Sequence, residues 1–298
     1  MPQQQPRRSA RVAVVGAGAA GLAAARELRD EGHTAVVFEA SHAIGGTWRY
    51  DAAPGVHSSM YANLRTNLPR ELMGFADLPF SSATPLTGDA RRYCGHAEVQ
   101  AYLELFAARN ALHSLIRFGV RVQRATPLWE GATALGPRWR VETSAACEDS
   151  TFDALLVANG HYSEPRTLHV PGAADFPGSL QHTHDYRTPA PFAGKRVVVV
   201  GAASSGEDVS RDIAPVAAAT FLSAASFMTE GPIASGAVQK RALLVRLHAD
   251  GAAEFADGTR EAVDVVLFAT GYHFHFPFLE GACACARART LVAVSRCR

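Results

Sequence analysis

The turn VVGAGAAG at residues 14–21 constrains this 298-residue chain more than any other stretch. It follows an apolar run, Val12–Val15, and opens a helix expected over Ala20–Glu31. Gly16, Gly18 and Gly21 have the G-x-G-x-x-G spacing of a dinucleotide-binding turn. The first glycine lets the chain leave the strand, the second lets backbone N–H groups approach a pyrophosphate, and the third lets the helix lie close on the strand. The helix N-terminus around Ala19 and Ala20 then aims unpaired N–H groups and partial positive charge at the phosphates. A second strand is expected to end at Glu39, 18 residues beyond Gly21, where a carboxylate can accept hydrogen bonds from ribose hydroxyls. One such turn is a weak signal. Here the layout repeats at Lys195–Val209, with Gly201, Ala203 and Gly206 at the same offsets and Ser204 and Ser205 offering hydroxyls beside the Ala203 methyl. Two nucleotide sites on one chain point to electron transfer between two cofactors.

Size and charge agree with that reading. A hydrophobic content of 48% over this length supports about two domains with real cores. With 29 basic and 28 acidic residues the net charge is +1, which gives no attraction to nucleic acid or an anionic membrane. No apolar run reaches the ~18 residues of a membrane span. The leader at residues 1–10, MPQQQPRRSA, has no apolar h-region and is expected to be a disordered arm, so the expected location is cytoplasmic. Cys94, Cys147, Cys283, Cys285 and Cys297 include no C-x-x-C pair, which excludes a dithiol redox centre of that type and leaves reduced thiols. His182/His184 and His273/His275 lack a third ligand of known placement, so no metal is expected.

After Glu39 the chain breaks at Gly45 and Gly46. Thr47 and Trp48 follow, as an ordinary turn with a core anchor or as backbone running along a cofactor under an aromatic cover. Asn67 lies among apolar neighbours, either capping a short helical turn at Pro69–Met73 or aiming its amide at a cofactor's reactive ring. His96–Asn110 spaces Val99, Leu103 and Phe106 as one helical stripe. Arg117–Val122 and Arg138–Thr143 read as short strands, and Asp153–Gly160 as a buried strand closing on glycine. Phe176–Tyr186 places Phe176, Gly178, His182 and Tyr186 at F-x-G-x-x-x-H-x-x-x-Y spacing, read as a linker meeting both cofactors. The strand Ala219–Ser223 is followed by Ala224 and Ala225, neither the acid that favours NAD nor the Arg that favours NADP; Lys240 and Arg241 are later basic candidates. Gly258 and Thr259 look like a hairpin turn. Asp264–Tyr272 repeats the pattern of Asp153–Gly160, and the two are expected to be neighbouring returns into the first domain.

In order from about Arg11 to Leu279, these motifs resemble those of the flavin-containing monooxygenases, which oxygenate nitrogen or sulfur using FAD, NADPH and O2. The resemblance implies an α/β fold of two Rossmann-like dinucleotide-binding domains, the NADP domain inserted into the FAD domain. The implied division is a leader at 1–10, an FAD-binding domain at 11–165, an NADP-binding domain at 166–262, a return to the FAD domain at 263–280 and an atypical tail at 281–298. It assigns cofactor binding to Gly16, Gly18, Ala19, Ala20, Gly21, Glu39, Gly46, Thr47, Trp48, Asn67, His182, Tyr186, Gly201, Ala203, Ser204, Ser205, Gly206, Thr270 and Gly271. Asn67 is the implied catalytic residue, beside the flavin C4a carbon and the nicotinamide. The implied reaction oxygenates a small amine or thioether through a C4a-hydroperoxyflavin, as N,N-dimethylaniline monooxygenases do.

Tyr186 stands where Baeyer–Villiger monooxygenases have Trp. That class, an amine hydroxylase and a catalytically dead fragment with residual nucleotide binding are the alternative readings. Family members commonly carry an Arg after the second nucleotide strand, where this chain has FLSAAS. They also continue past the FATGY segment (268–272) with a further FAD-contacting strand and helix. The tail GACACARARTLVAVSRCR is therefore expected to mark a truncated, alternatively spliced or mis-predicted product. Oligomeric state is open.

Overall fold

The computed structural model describes residues 9–53, 58–133, 136–145, 150–227, 231–233 and 236–279. These fall into two compact units: the described residues of Met1–Arg49, Arg70–Gly160 and His275–Arg298 form the first, and those of Tyr50–Pro69 and His161–Phe274 the second. The leader before Ser9, the tail from residue 281, and Cys147, Cys283, Cys285 and Cys297 lie outside the described residues.

The first unit contains β1 (Arg11–Val15), α1 (Ala19–Asp30), β2 (Thr34–Glu39), α2 (His96–Arg109), β3 (Ile116–Phe118), β4 (Val122–Thr133), β5 (Gly136–Thr143), β6 (Thr151–Phe152) and β7 (Ala154–Val157). A parallel sheet runs β3-β2-β1-β7. The run Val12–Val15 is apolar on both faces because both faces are covered. Val12 and Val14 meet Leu22 and Ala25 of α1 and Val99, Leu103 and Phe106 of α2. Ala13, Val15 and Phe38 meet Val122, Val141 and Phe152 of the β4-β5-β6 sheet, together with Phe278. Arg117–Val122 is not one strand. Gly119, at φ +69°, turns the chain between β3 and β4. Ser9 and Ala10, expected in the disordered arm, are ordered: the Ser9 hydroxyl donates to Gly32 O, and Ala10 is buried.

The connection into α2 is fixed by a fully buried ion pair, Arg70 to Glu98 at 3.0 Å. Arg70 also donates to the carbonyls of Arg91, Ser81 and Asp89, while Glu98 accepts from the N–H groups of Leu86 and Thr87 and the Thr87 hydroxyl. Burial pushes the Glu98 pKa up, but these donors outweigh it and hold the carboxyl below its usual range. Such a pair is tolerated in a core because its remaining hydrogen-bonding positions are filled.

The second unit contains β8 (Glu164–Pro165), β9 (Ser179–His182), β10 (Arg196–Val200), α3 (Ser204–Ile213), β11 (Ala219–Ser223), β12 (Gly231–Ile233), β13 (Val238–Arg241), β14 (Leu244–Leu247), β15 (Ala252–Phe255), β16 (Arg260–Ala262), β17 (Val265–Phe268) and β18 (Tyr272–His273). Its main sheet runs β12-β13-β11-β10-β17-β9, antiparallel only at β12. Val209 and Ile213 of α3 cover one face, and the small β14-β15-β16 sheet covers the other. The hairpin expected at Gly258 and Thr259 joins β15 to β16.

Three expectations are corrected here. Val265–Phe268 does not return to the first sheet; it lies between β10 and β9 of the second. Asp264 sets it there, its N–H donating to Arg196 O (2.9 Å) and its carboxylate accepting Arg196 N–H (2.8 Å). The chain rejoins the first unit from His275, and the described residues of Tyr50–Pro69, expected in the first domain, belong to the second unit. The second unit is therefore inserted in the first as two segments, with a later return than the sequence suggested. The segment Phe176–Tyr186, read as a linker, contributes β9 to the second sheet.

The resemblance between Asp153–Gly160 and Asp264–Tyr272 has a different cause from the expected one. Asp153 holds Arg11 as Asp264 holds Arg196, with N–H to O at 2.8 Å and carboxylate to N–H at 2.8 Å. The order β3-β2-β1-β7 thus recurs as β13-β11-β10-β17. The two strands are equivalents in separate sheets.

Candidate functional site

At the first turn the three glycines fall into two kinds. Gly16 has φ +102°, and a Cβ there would stand 2.6 Å from Ala158 O. A Cβ on Gly21 would stand 1.9 Å from Gly16 O. These two are required for the helix to lie on the strand. Gly18 is not: its φ of −75° suits any residue, and an added Cβ would make only ordinary contact with Gly46 Cα at 3.6 Å. The two backbones lie close together: a Cβ on Gly46, itself at φ +56°, would stand 3.1 Å from Gly18 Cα. Gly18 stands at the start of α1, which has no side-chain cap and no acid in its first turn, so its leading N–H groups are left to an outside acceptor.

This approach of the two backbones is anchored. Gly45 N–H donates to Ala17 O (3.0 Å) and the Gln100 amide to Ile44 O (3.0 Å). Thr47 is exposed, and Trp48 packs half-buried on the α1–α2 core. Glu39 accepts Ala17 N–H on one oxygen and Ser41 N–H on the other, both at 2.8 Å. Each oxygen retains acceptor capacity for a ribose hydroxyl. The sequence reading missed Asn159. Its Oδ1 is buried with no partner among the described residues, and its Cα would lie 3.2 Å from a Cβ on Gly16. The signal was available in the shared pattern Val157-Ala158-Asn159-Gly160 and Phe268-Ala269-Thr270-Gly271.

The second turn repeats the first. Gly201, at φ +112°, would place a Cβ 2.5 Å from Ala269 O, and Gly206 would place one 1.7 Å from Gly201 O. Ala203 has φ −81° and ψ −179°, beside −75° and −175° for Gly18, so its methyl fits without strain. Ala203, Ser204 and Ser205 are exposed at the start of α3. Thr270 and Gly271 follow β17 and hold Arg166: its guanidinium donates to Thr270 O at 2.9 and 2.6 Å, and its N–H donates to Gly271 O at 3.0 Å.

His182 and Tyr186 of the segment Phe176–Tyr186 serve the interior of the second unit. His182 is buried, its Nδ1 accepting His184 N–H at 3.0 Å, and Tyr272 stands edge-on to its ring at 5.3 Å. Burial lowers the His182 pKa. The Tyr186 hydroxyl donates to Asp212 at 2.6 Å and the Tyr61 hydroxyl to Asp208, with the two rings 5.4 Å apart. Burial first, then these carboxylates, push both phenols far above their ordinary range. Asn63 adds a bond to Asp212 at 2.8 Å. Asn67, four residues on, is exposed on a bend and is not the buried amide the sequence suggested.

The profile of a family described as flavin-binding monooxygenase-like matches residues 9–229 and 229–293. The chain belongs to this family. It is 42% identical over 301 residues to the flavin-containing monooxygenase FMO GS-OX-like 4 of Arabidopsis thaliana, covering 94% of this chain and 66% of that one. The solved structure of an S-allyl-L-cysteine S-oxygenase from Allium sativum superposes with a TM-score of 0.82 at 39% identity, covering 91% of this chain and 64% of the other. An oxidized steroid monooxygenase bound to NADP superposes with a TM-score of 0.51 at 33% identity, over 76% of this chain and 40% of the other. This flavin-binding monooxygenase-like chain thus spans just under two thirds of the length of the Arabidopsis relative and of the Allium enzyme. FAD and NADP are the cofactors of the family. No helix among the described residues is long and apolar enough to cross a membrane.

Proposed function

We propose that the chain holds FAD at its first turn and NADP at its second, in a monooxygenase that transfers oxygen from O2 to nucleophilic sulfur or nitrogen of a small molecule. The observation that carries this reading is the uncapped start of α1, with backbone free of side chains at Gly18 and Gly46 beside it. The N–H groups there suit a pyrophosphate, Glu39 the ribose hydroxyls and Asn159 Oδ1 a donor on the cofactor. At the second turn, Ser204 and Ser205 supply hydroxyls beside the first N–H groups of α3. When bound, NADPH supplies hydride and FAD accepts it and handles O2. The chain's own groups bind, orient and exclude water. Neither turn presents a carboxylate pair or a Ser-His-Asp arrangement for acid–base work on a substrate, which suits a substrate that is itself the nucleophile. Asn67, exposed and four residues from the Asp212 anchor, is the amide we assign to hydrogen bonding at the cofactor's reacting edge. Sulfur ranks before nitrogen because the garlic relative is an S-oxygenase.

The test is a visible spectrum of the purified chain with FAD, then NADPH under air with a dialkyl sulfide, a tertiary amine or a cyclic ketone. A bound-flavin spectrum that bleaches, recovers and yields sulfoxide supports the reading. Lactone from the ketone would move the chain to the Baeyer–Villiger class, and no FAD uptake would overturn the assignment of the first turn.

A further inference from the structure

The repeat of the two sheets gives each residue at the rim of the second turn a counterpart at the first. Gly16 N–H donates to Phe38 O and Gly201 N–H to Ser223 O, so Ala224 stands where Glu39 does. In the next strand Val37 pairs with Ile116 and Leu222 with Lys240, so Lys240 takes the place of the buried Ile116. Both exchanges have the same electrostatic sign. A carboxylate is lost and an ammonium gained beside the strand end where the adenosine ribose lies in folds of this kind.

Lys240 is half-buried, with Nζ 5.3 Å from the centre of the Phe227 ring. Phe227 N–H donates to Ala224 O, so the ring beneath the ammonium belongs to the residue that closes the short turn Ala224 begins. A lysine resting on a ring keeps a flexible stem and a compact charge that can move to a phosphate. The other cation on β13, Arg241, is committed elsewhere. It is buried, its Nη2 meets Glu261 at 2.5 Å, and its guanidinium lies 5.1 Å from the Phe221 ring centre.

We infer that Lys240 recognises the 2′-phosphate of the adenosine ribose at the second turn, and that Ala224 leaves the room an acid would deny it. This rests on the second turn holding NADP, and it supplies the cation that the run FLSAAS lacks. Calorimetric titration of NADP+ and NAD+ into the purified chain tests it without turnover. The expected result is that the wild type prefers NADP+ by at least about tenfold, a difference one charge-assisted contact can supply. Lys240→Met should lose most of that preference by weakening NADP+ alone, Lys240→Arg should keep it, and Ala224→Glu should shift it towards NAD+. If Lys240→Met binds NADP+ as tightly as the wild type, or weakens both dinucleotides equally, the assignment of Lys240 is overturned while the second turn keeps its nucleotide. If the wild type binds neither dinucleotide, the reading of the second turn itself fails, and this inference with it.

Discussion

The middle position of the first turn is Gly18 and that of the second is Ala203, yet their backbones agree within a few degrees, φ −75° against −81° and ψ −175° against −179°. The flanking glycines, Gly16 and Gly21 or Gly201 and Gly206, are held by backbone carbonyls that a Cβ would strike. A glycine in such a turn therefore answers to one of two demands, the fold's own packing or the approach of a ligand, and only the second varies between the two copies. The rim varies too. Glu39 ties down Ala17 N–H and Ser41 N–H at the first turn, while the second has Ala224 in its place, with Lys240 nearby.

The heaviest test of this equivalence is Gly21→Ala set beside Gly206→Ala. Each Cβ would lie under 2 Å from a carbonyl oxygen, at 1.9 and 1.7 Å, so the helix must move off its strand. Each change should cost about 3 kcal/mol or more in urea unfolding. Tolerance at one site alone would break the equivalence. Next comes Gly18→Ala, which should leave unfolding within about 1 kcal/mol of wild type yet weaken FAD at least about tenfold, because the second glycine of such a turn is the one that lets a pyrophosphate approach the backbone. The reverse change, Ala203→Gly, should alter NADP+ binding far less. If both changes act equally on their cofactors, the division into structural and ligand glycines is lost.

Smaller effects sharpen the differences between the units. Tyr186→Phe removes a buried donor to Asp212 and should cost about 1–2 kcal/mol in unfolding. Smallest is a pH effect at His182, whose pKa burial holds down. The folded state disfavours the protonated ring, so this share of stability is whole above the ordinary imidazole pKa of about 6.5 and drains as pH falls through the lowered value. Urea midpoints between pH 7.5 and 5.5 should fall in the wild type and fall less in His182→Gln. An identical slope would assign the acid sensitivity to other groups.

Much of the fold was legible because its signals are local. The glycine spacing marked both turns, the apolar runs marked β1, β10 and β17, and the stripe Val99, Leu103 and Phe106 marked α2. What escaped depends on contacts far apart in sequence. Val265–Phe268 is apolar on both faces and suits either sheet, and its pairing with β10 and β9, begun by the bonds between Asp264 and Arg196, is what places it. Asn67 looked buried among apolar neighbours, but sequence neighbours do not cover a side chain on a bend. Lys240 was visible as a basic residue, but its meaning came from its pairing with Leu222. Asn159 left a trace in the pattern shared by 157–160 and 268–271, but that its buried Oδ1 has no partner among the described residues emerged only with the end of β7 beside Gly16.

The layout of the first core also sets a timetable for biosynthesis. Asp153 trails Arg11, whose N–H it accepts, by 142 residues, and the face bearing Ala13 and Val15 is closed in part by Phe278. At a ribosomal pace of roughly 5–20 residues per second, that apolar face waits on the order of tens of seconds for its last cover. The strands of the inserted unit's main sheet are all synthesised first, ending at Phe268. The β1 face is thus sealed after strands that follow it by more than a hundred residues, and until then it stays open to non-native contacts.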